Sequence, residues 1–304
     1  VAMFHLFTHA FFKALLFLGS GSVIHSLKDE QDIRKMGGIW RQMPFTWIAM
    51  IIGTLALTGF PFLSGYYSKD AIIEFAYLKG SNVGYICAAV GIITAFLTAI
   101  YSWRLIFKTF HGKYNNPNFS KPEIHDSGII IIFPLALLVL GSVFVGFIFK
   151  DFLIGKNYFN FWDSSILILQ PFDISYIPIW LLYITPLLVT TAIPLSYYLY
   201  IKNNKFLEKI KTNNISIYNF LLNKWYFDEI YNLIFVKPTK SLGSFFWKSG
   251  DIKIIDRFGP DGISKIIKII SNKSTKFQSG YIYDYAFVML IGLSLLLTIF
   301  ILYK

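Results

Sequence analysis

A chain of 304 residues in which 55% are apolar and only 15% are charged falls well below the about 25% charged residues of soluble domains, and this excludes a water-soluble globular fold. The single cysteine, Cys87, excludes an internal disulfide and a cysteine zinc site. The formal charge of +11 is carried by lysines and arginines gathered in particular loops, which reads as membrane orientation and not as nucleic-acid binding.

A membrane span needs about 20 mostly apolar residues, and six stretches qualify. The first, 3–25, opens almost at Val1 with no charged segment or cleavage site ahead of it. It is therefore no signal peptide, and the chain reads as a C-terminal fragment of a longer protein. The second, 45–79, is interrupted by Gly59-Phe60-Pro61-Phe62-Leu63-Ser64-Gly65. The others are 83–107, 128–149, 177–201 and 281–303, with Trp47, Trp103, Trp180 and Tyr281 near span ends, where an aromatic belt is expected. Twenty-two lysines and arginines, among them Lys121, fall on one side of these crossings and five, Lys304 included, on the other. The basic loops are therefore expected to face the cytoplasm.

Within the first stretch His5, His9 and Lys13 are spaced four apart. Each step of four turns the helix by about 400°, so the three share a slowly drifting face and form a polar ladder about 12 Å long. An ammonium at that depth costs roughly 2.5–3.5 kcal/mol, so Lys13 is expected to face a bundle interior or water. Imidazoles titrate near neutrality, and a row of such groups suits proton movement. Two histidines at i and i+4 resemble part of a zinc site, but no adjoining Glu or third ligand is present, so no metal is expected.

In the second stretch Gly59, Pro61 and Gly65 prevent a continuous helix, and Ser68-Lys69-Asp70 follows directly, with Glu74 one turn on. Broken helices recur at ion sites in transporters. Ser68 is expected to cap the second half-helix, and Lys69 and Asp70, as neighbours on a helix, are expected to find different partners. The pairs Thr54/Thr58 and Thr94/Thr98 are placed to bond backbone carbonyls.

Residues 205–280 are too polar to span. Ile263, Ile266, Ile267, Ile269 and Ile270 form a helical stripe with Lys265 and Lys268 elsewhere, an amphipathic pattern that Pro238 and Gly259-Pro260 are expected to break or kink. No nucleotide loop, nucleophile triad or haem motif occurs, so no catalytic residue is expected.

Long motifs, matched in order, give the chain a resemblance to a known family. Phe4-His-Leu-Phe-Thr-His-Ala-Phe-Phe-Lys-Ala-Leu-Leu through His25, Gln31 through Gly38, and Gly53-Thr-Leu-Ala-Leu-Thr-Gly-Phe-Pro-Phe-Leu-Ser-Gly-Tyr-Tyr-Ser-Lys-Asp70 resemble the antiporter-like subunits of respiratory complex I. Trp225 through Tyr231, Val236-Lys-Pro238 and the amphipathic stretch before a last span resemble the most distal of them. Phe62 departs from the pattern, standing where a second proline is expected.

The resemblance implies an all-α membrane protein of about six spans, one discontinuous, plus a long amphipathic lateral helix. Residues 1–111 would be the last part of a second antiporter-like repeat, 112–204 two additional spans, 205–280 the lateral helix on the cytoplasmic face, and 281–304 a C-terminal anchor. It implies a proton-translocating subunit of NADH–quinone oxidoreductase, with His5, His9 and Lys13 on the conducting axis and Lys69 with Asp70 at the exit side. No cofactor is implied in this chain, with flavin and iron–sulfur clusters in partner subunits. Other membrane subunits would lie along the lateral helix, in the lipid bilayer. The richness in Lys, Ile and Asn suggests an AT-rich bacterial genome and so a bacterial inner membrane, with a mitochondrial inner membrane as the alternative. The alternatives are a subunit of a multi-subunit cation/proton antiporter and a purely structural clamp.

Overall fold

The computed structural model describes residues 1–114, 124–166 and 176–303, so Lys121 and Lys304 lie outside the described residues. It forms two compact units, Val1–Asn213 and Asn214–Lys304. Both are helical, and no strand occurs among the described residues.

In the first unit, α1 (Ala2–Ser26), α4 (Asn82–Ile106, prolonged by a π-helical turn to His111), α5 (Ile129–Leu153) and α7 (Ile179–Tyr197, prolonged by a π-helical turn to Lys202) are each long and apolar enough to cross a membrane. The interrupted stretch becomes α2 (Pro44–Thr58) and α3 (Ser64–Leu78), each of 15 residues and roughly 22 Å long. That is less than the ~30 Å of a bilayer core. Four of the expected spans are thus single helices, and the fifth is two half-helices around a break. The short α6 (Tyr158–Trp162) follows α5. Helix α5 packs on α1, α2 and α3, and α4 packs on α7, α3 and α2.

Small residues allow these approaches. A Cβ on Gly146 would lie 2.4 Å from Ser64 Cα, and one on Gly65 would lie 1.7 Å from the Ala56 carbonyl oxygen. At the crossing Ser64 Oγ donates to the Gly141 carbonyl and accepts from the Gly146 N–H, both at 2.9 Å. Small residues at helix crossings let van der Waals packing and interhelical hydrogen bonds do what hydrophobicity cannot do in lipid.

The N-terminal end of α2 is satisfied from outside the helix. Its N-cap, Met43, has no side-chain bond to offer. Asp126, just ahead of α5, accepts instead from the N–H groups of Phe45 (2.9 Å) and Thr46 (3.1 Å) and from the Thr46 hydroxyl (2.6 Å). A carboxylate there complements the positive end of the helix. Asp126→Ala is expected to cost about 1–2 kcal/mol, read as a lower midpoint of denaturant unfolding in detergent. An unchanged midpoint would show that the cap is idle.

The second unit begins with α9 (Ile215–Leu222), which follows α8 (Asn204–Asn213) of the first. Lys224, Trp225 and Tyr226 have φ of 52°, 62° and 58°, a left-handed turn that ends the preceding helical course. Helix then runs from α10 (Phe227–Tyr231) through a π-helical turn, α11 (Lys237–Phe245) and a longer π-helical stretch to Asp256. Of the break or kink expected at Pro238, the break does not occur: the helical course passes through it, directly after a π-helical turn. The proline sits in the first turn of α11, after the π-helical turn 232–236, where its missing N–H is tolerated. The break falls at Gly259, and α12 (Pro260–Ser274) restarts beyond it. Ile263, Ile266, Ile267 and Ile270 are exposed on α12. Helix α13 (Ile282–Leu302) is the sixth span by length and apolarity.

Candidate functional site

The site is built where α1 meets the break between α2 and α3. Gly59 ends α2 in the left-handed region, with φ of +83° and ψ of 36°, a conformation that glycine adopts without a Cβ clash. Phe62 also has positive φ, +70°, and α3 begins at Ser64 with Leu63 as an N-cap that makes no side-chain bond. Ser68 therefore lies inside α3 and does not cap it, contrary to expectation. Its fully buried hydroxyl is free to turn towards α1.

There it completes a three-residue network. His5 Nδ1 is 3.0 Å from Ser68 Oγ, Thr8 Oγ1 is 2.7 Å from the same oxygen, and Thr8 Oγ1 donates to the His5 carbonyl at 3.1 Å. With Thr8 donating to that carbonyl, Ser68 donates to Thr8 and the His5 Nδ1–H donates to Ser68. With Thr8 turned to donate to Ser68, Ser68 donates to an unprotonated Nδ1. A hydroxyl is both donor and acceptor, so the network has two orientations, and moving between them is what relaying a proton requires. The His9 ring follows at 5.7 Å from that of His5, centroid to centroid. Both imidazoles are half-buried and lie against the buried Phe12 ring.

On the far side of Ser68, Lys69 Nζ donates to the Thr58 carbonyl at 3.4 Å. This is the carbonyl end of α2, where the helix dipole favours a cation. Asp70 is 7% exposed, and neither of its carboxyl oxygens has a hydrogen-bond partner among the described residues. A Cβ on Gly59 would meet Lys69 Cδ at 3.7 Å and Asp70 Oδ1 at 3.8 Å. Lys69 and Asp70 thus do not share a partner among the described residues, although both side chains lie beside the left-handed turn at Gly59. Thr58 bonds the Thr54 carbonyl at 2.9 Å, as the threonine spacing implied.

Lys13 is exposed in this chain, with Nζ 5.5 Å from the Phe17 ring centroid. The cause is helical drift. Helix α1 buries Phe4, Thr8, Phe12, Leu15, Gly19 and Ser22 by mixing steps of three and four, whereas steps of four alone rotate about 40° each. Over two steps the ladder turns from the packed side at His5 to the open side at Lys13. The three groups are neighbours in sequence pattern, and His5 is the one with a hydrogen bond to α3 among the described residues.

Thr8 was not singled out in the sequence. Its signal was a polar residue on the 4–8–12–15 buried stripe, which an apolar-only reading of that stripe passes over. Ser64 was seen only as part of the break. Among the described residues no group of three His, Cys, Asp or Glu side chains is placed to hold a metal ion.

Comparison with known proteins covers almost the whole chain. Residues 1–98 match the family described as "NADH:quinone oxidoreductase/Mrp antiporter, TM", and residues 101–302 match "NADH dehydrogenase subunit 5 C-terminus". NADH-ubiquinone oxidoreductase chain 5 of Phytophthora infestans is 42% identical over 96% of this chain and 45% of its own length. Chain 5 of Marchantia polymorpha is 40% identical over 98% of this chain and 46% of its own length. NADH-quinone oxidoreductase subunit L of Rhodobacter capsulatus is 33% identical over 96% of this chain and 51% of its own length. The chain thus spans about half the length of these relatives.

Proposed function

This chain belongs to the chain 5 and subunit L family of NADH–quinone oxidoreductases, antiporter-like membrane subunits, and from that membership we propose that it moves protons across the membrane, driven by quinone reduction elsewhere in the complex. The observation that carries the reading is the 3.0 Å contact of His5 with Ser68. It joins the imidazole ladder of α1 to the broken helix that holds Lys69 and Asp70. A proton arriving at His9 passes to His5, through the Ser68 and Thr8 hydroxyls, and on to the Lys69–Asp70 pair by way of water. A proton moved between Lys69 and Asp70 changes the local dipole and leaves their net charge the same, so a shift of field from neighbouring subunits can drive it. The work is charge coupling, and no bond to carbon is made or broken.

An ammonium at mid-span is costly against hydrocarbon, so the Lys13 face needs protein cover in the bilayer. We place on it a surface of the same subunit or of a neighbour. The basic loops are proposed to face the cytoplasm or matrix. The amphipathic course from Phe227 to Ser274 is proposed to lie laterally on that face against other membrane subunits, which would include those carrying flavin and iron–sulfur clusters further along. The match of residues 101–302 to the NADH dehydrogenase subunit 5 C-terminus supports this reading over a cation/proton antiporter. The higher identity to relatives from eukaryotes supports a mitochondrial inner membrane over the bacterial one that composition suggested.

The test is Lys13→Gln in the assembled complex. Quinone reduction is expected to persist while protons moved per electron pair fall sharply, with subunit content unchanged. Wild-type pumping in that variant would reject the assignment of Lys13 to the path.

A further inference from the structure

A second polar feature lies well away from the α1–α3 network, at the end of the first unit where the basic loops gather. Helices α4 and α7 both finish in π-helical turns, Phe107–His111 and Tyr198–Lys202, and the two turns pack together. Such wide turns are rare and are frequently found at functional sites. Together with the loop between α1 and α2 they wall a cavity of about 410 Å³, inside the range of about 300–1,000 Å³ typical of small-molecule sites.

Its lining is basic. Arg34, Lys108, His111 and Lys113 contribute, Met36 and Tyr200 supply apolar surface, and no acidic residue lines it among the described residues. Arg34 is already engaged: its guanidinium grips Asp32 at 2.6 Å and holds that carboxyl at about 2, far below the usual range. The uncommitted positive charge therefore comes from Lys108 and Lys113, which pair with no carboxylate among the described residues. Arg104 stands behind, over the Tyr200 ring at 5.7 Å.

His111 adds a donor of fixed direction. Its Nε2 receives the Trp47 Nε1–H at 3.0 Å. An indole N–H only donates, so Nε2 is unprotonated and the ring's proton sits on Nδ1. Trp40, Trp47 and His111 pack together beside the cavity, in the manner of an aromatic belt at headgroup level.

We propose that this cavity binds the phosphate of an anionic lipid headgroup, held by the Lys108 and Lys113 ammonium groups and the His111 Nδ1–H, with acyl chains descending along α4 and α7. The chemistry recognised is a phosphate ester, and a free phosphate would satisfy the same donors. Lipid is the source favoured here, because the cavity lies at the ends of two spans and Ile33, Met36 and Ile201 border its basic groups. Basic pockets between spans on this side of a membrane are a recognised mode of headgroup capture.

The test uses the full chain in detergent, delipidated, with retained adducts read by native mass spectrometry. Phosphatidylglycerol, phosphatidylcholine and inorganic phosphate are supplied in separate arms. Phosphatidylglycerol is expected to be retained over phosphatidylcholine. The double variant Lys108→Gln/Lys113→Gln is expected to weaken that retention roughly 30-fold. Lys35→Gln/Arg41→Gln, which removes the same charge from the same face but outside the cavity, is expected to leave it unchanged. Equal losses in the two variants, or equal retention of the two lipids, would overturn the proposal. Displacement of the lipid by millimolar inorganic phosphate would overturn the lipid assignment.

Discussion

Gly65→Val is expected to prevent the broken span from assembling. A Cβ at position 65 would lie 1.7 Å from the Ala56 carbonyl oxygen and 2.8 Å from its carbon. Both are backbone atoms of α2, so no side-chain rotation relieves the clash. The neighbouring Ser64 fixes α3 to α5 through two hydrogen bonds of 2.9 Å, which denies α3 the freedom to slide away. Overpacking of a close-packed interior costs about 1–3 kcal/mol where side chains can shift, and a backbone collision belongs at or above the top of that range. The expected result is loss of monodisperse protein on size-exclusion chromatography in detergent. Gly21→Ala is the matched control: nothing lies within 4 Å of a Cβ there, and alanine favours helix over glycine by about 1 kcal/mol. If Gly65→Val yields protein as stable as the Gly21→Ala control, α2 and α3 do not approach as described.

The crossing that makes Gly65 so sensitive marks the boundary between what the sequence discloses and what it does not. The spans follow from apolar length alone, and the break follows from Gly59, Pro61 and Gly65, because backbone chemistry at those residues is local. The ladder of His5, His9 and Lys13 is equally local in spacing, but its burial is not. Which side of α1 is covered depends on where α5, α2 and α3 pack, and a drift of about 40° per step of four is enough to carry Lys13 out of contact. Ser68 was misread for the same reason. Its position near a helix start made capping the economical reading, and only the tertiary approach of Thr8 and His5 gives its hydroxyl a better partner. Asp126, which caps α2 from 80 residues away in sequence, has no local signal at all.

At Lys69 charge, hydrogen bonding and proton exchange separate cleanly by substitution. Lys69→Gln keeps an N–H donor for the Thr58 carbonyl, which Lys69 holds at 3.4 Å, and loses the charge. Lys69→Arg keeps donor and charge, but a guanidinium does not release its proton in a protein. If Lys69 carries protons, both variants are expected to lower translocation in the assembled complex by roughly 10²-fold, the scale of a lost proton-transfer group, with assembly retained. If the residue only supports the end of α2, glutamine will restore transport. If it acts only as a fixed charge opposite Asp70, arginine will restore it and glutamine will not. Asp70→Asn completes the set. Asp70 lies beside the same left-handed turn, its oxygens unpartnered among the described residues, and an amide there can neither take up nor release a proton. Translocation is expected to fall again, and the double variant Lys69→Gln/Asp70→Asn is expected to lose no more than the worse single one, because two residues that exchange one proton fail together. Losses that simply multiply would show that lysine and aspartate act at separate steps, and the break would then hold two sites.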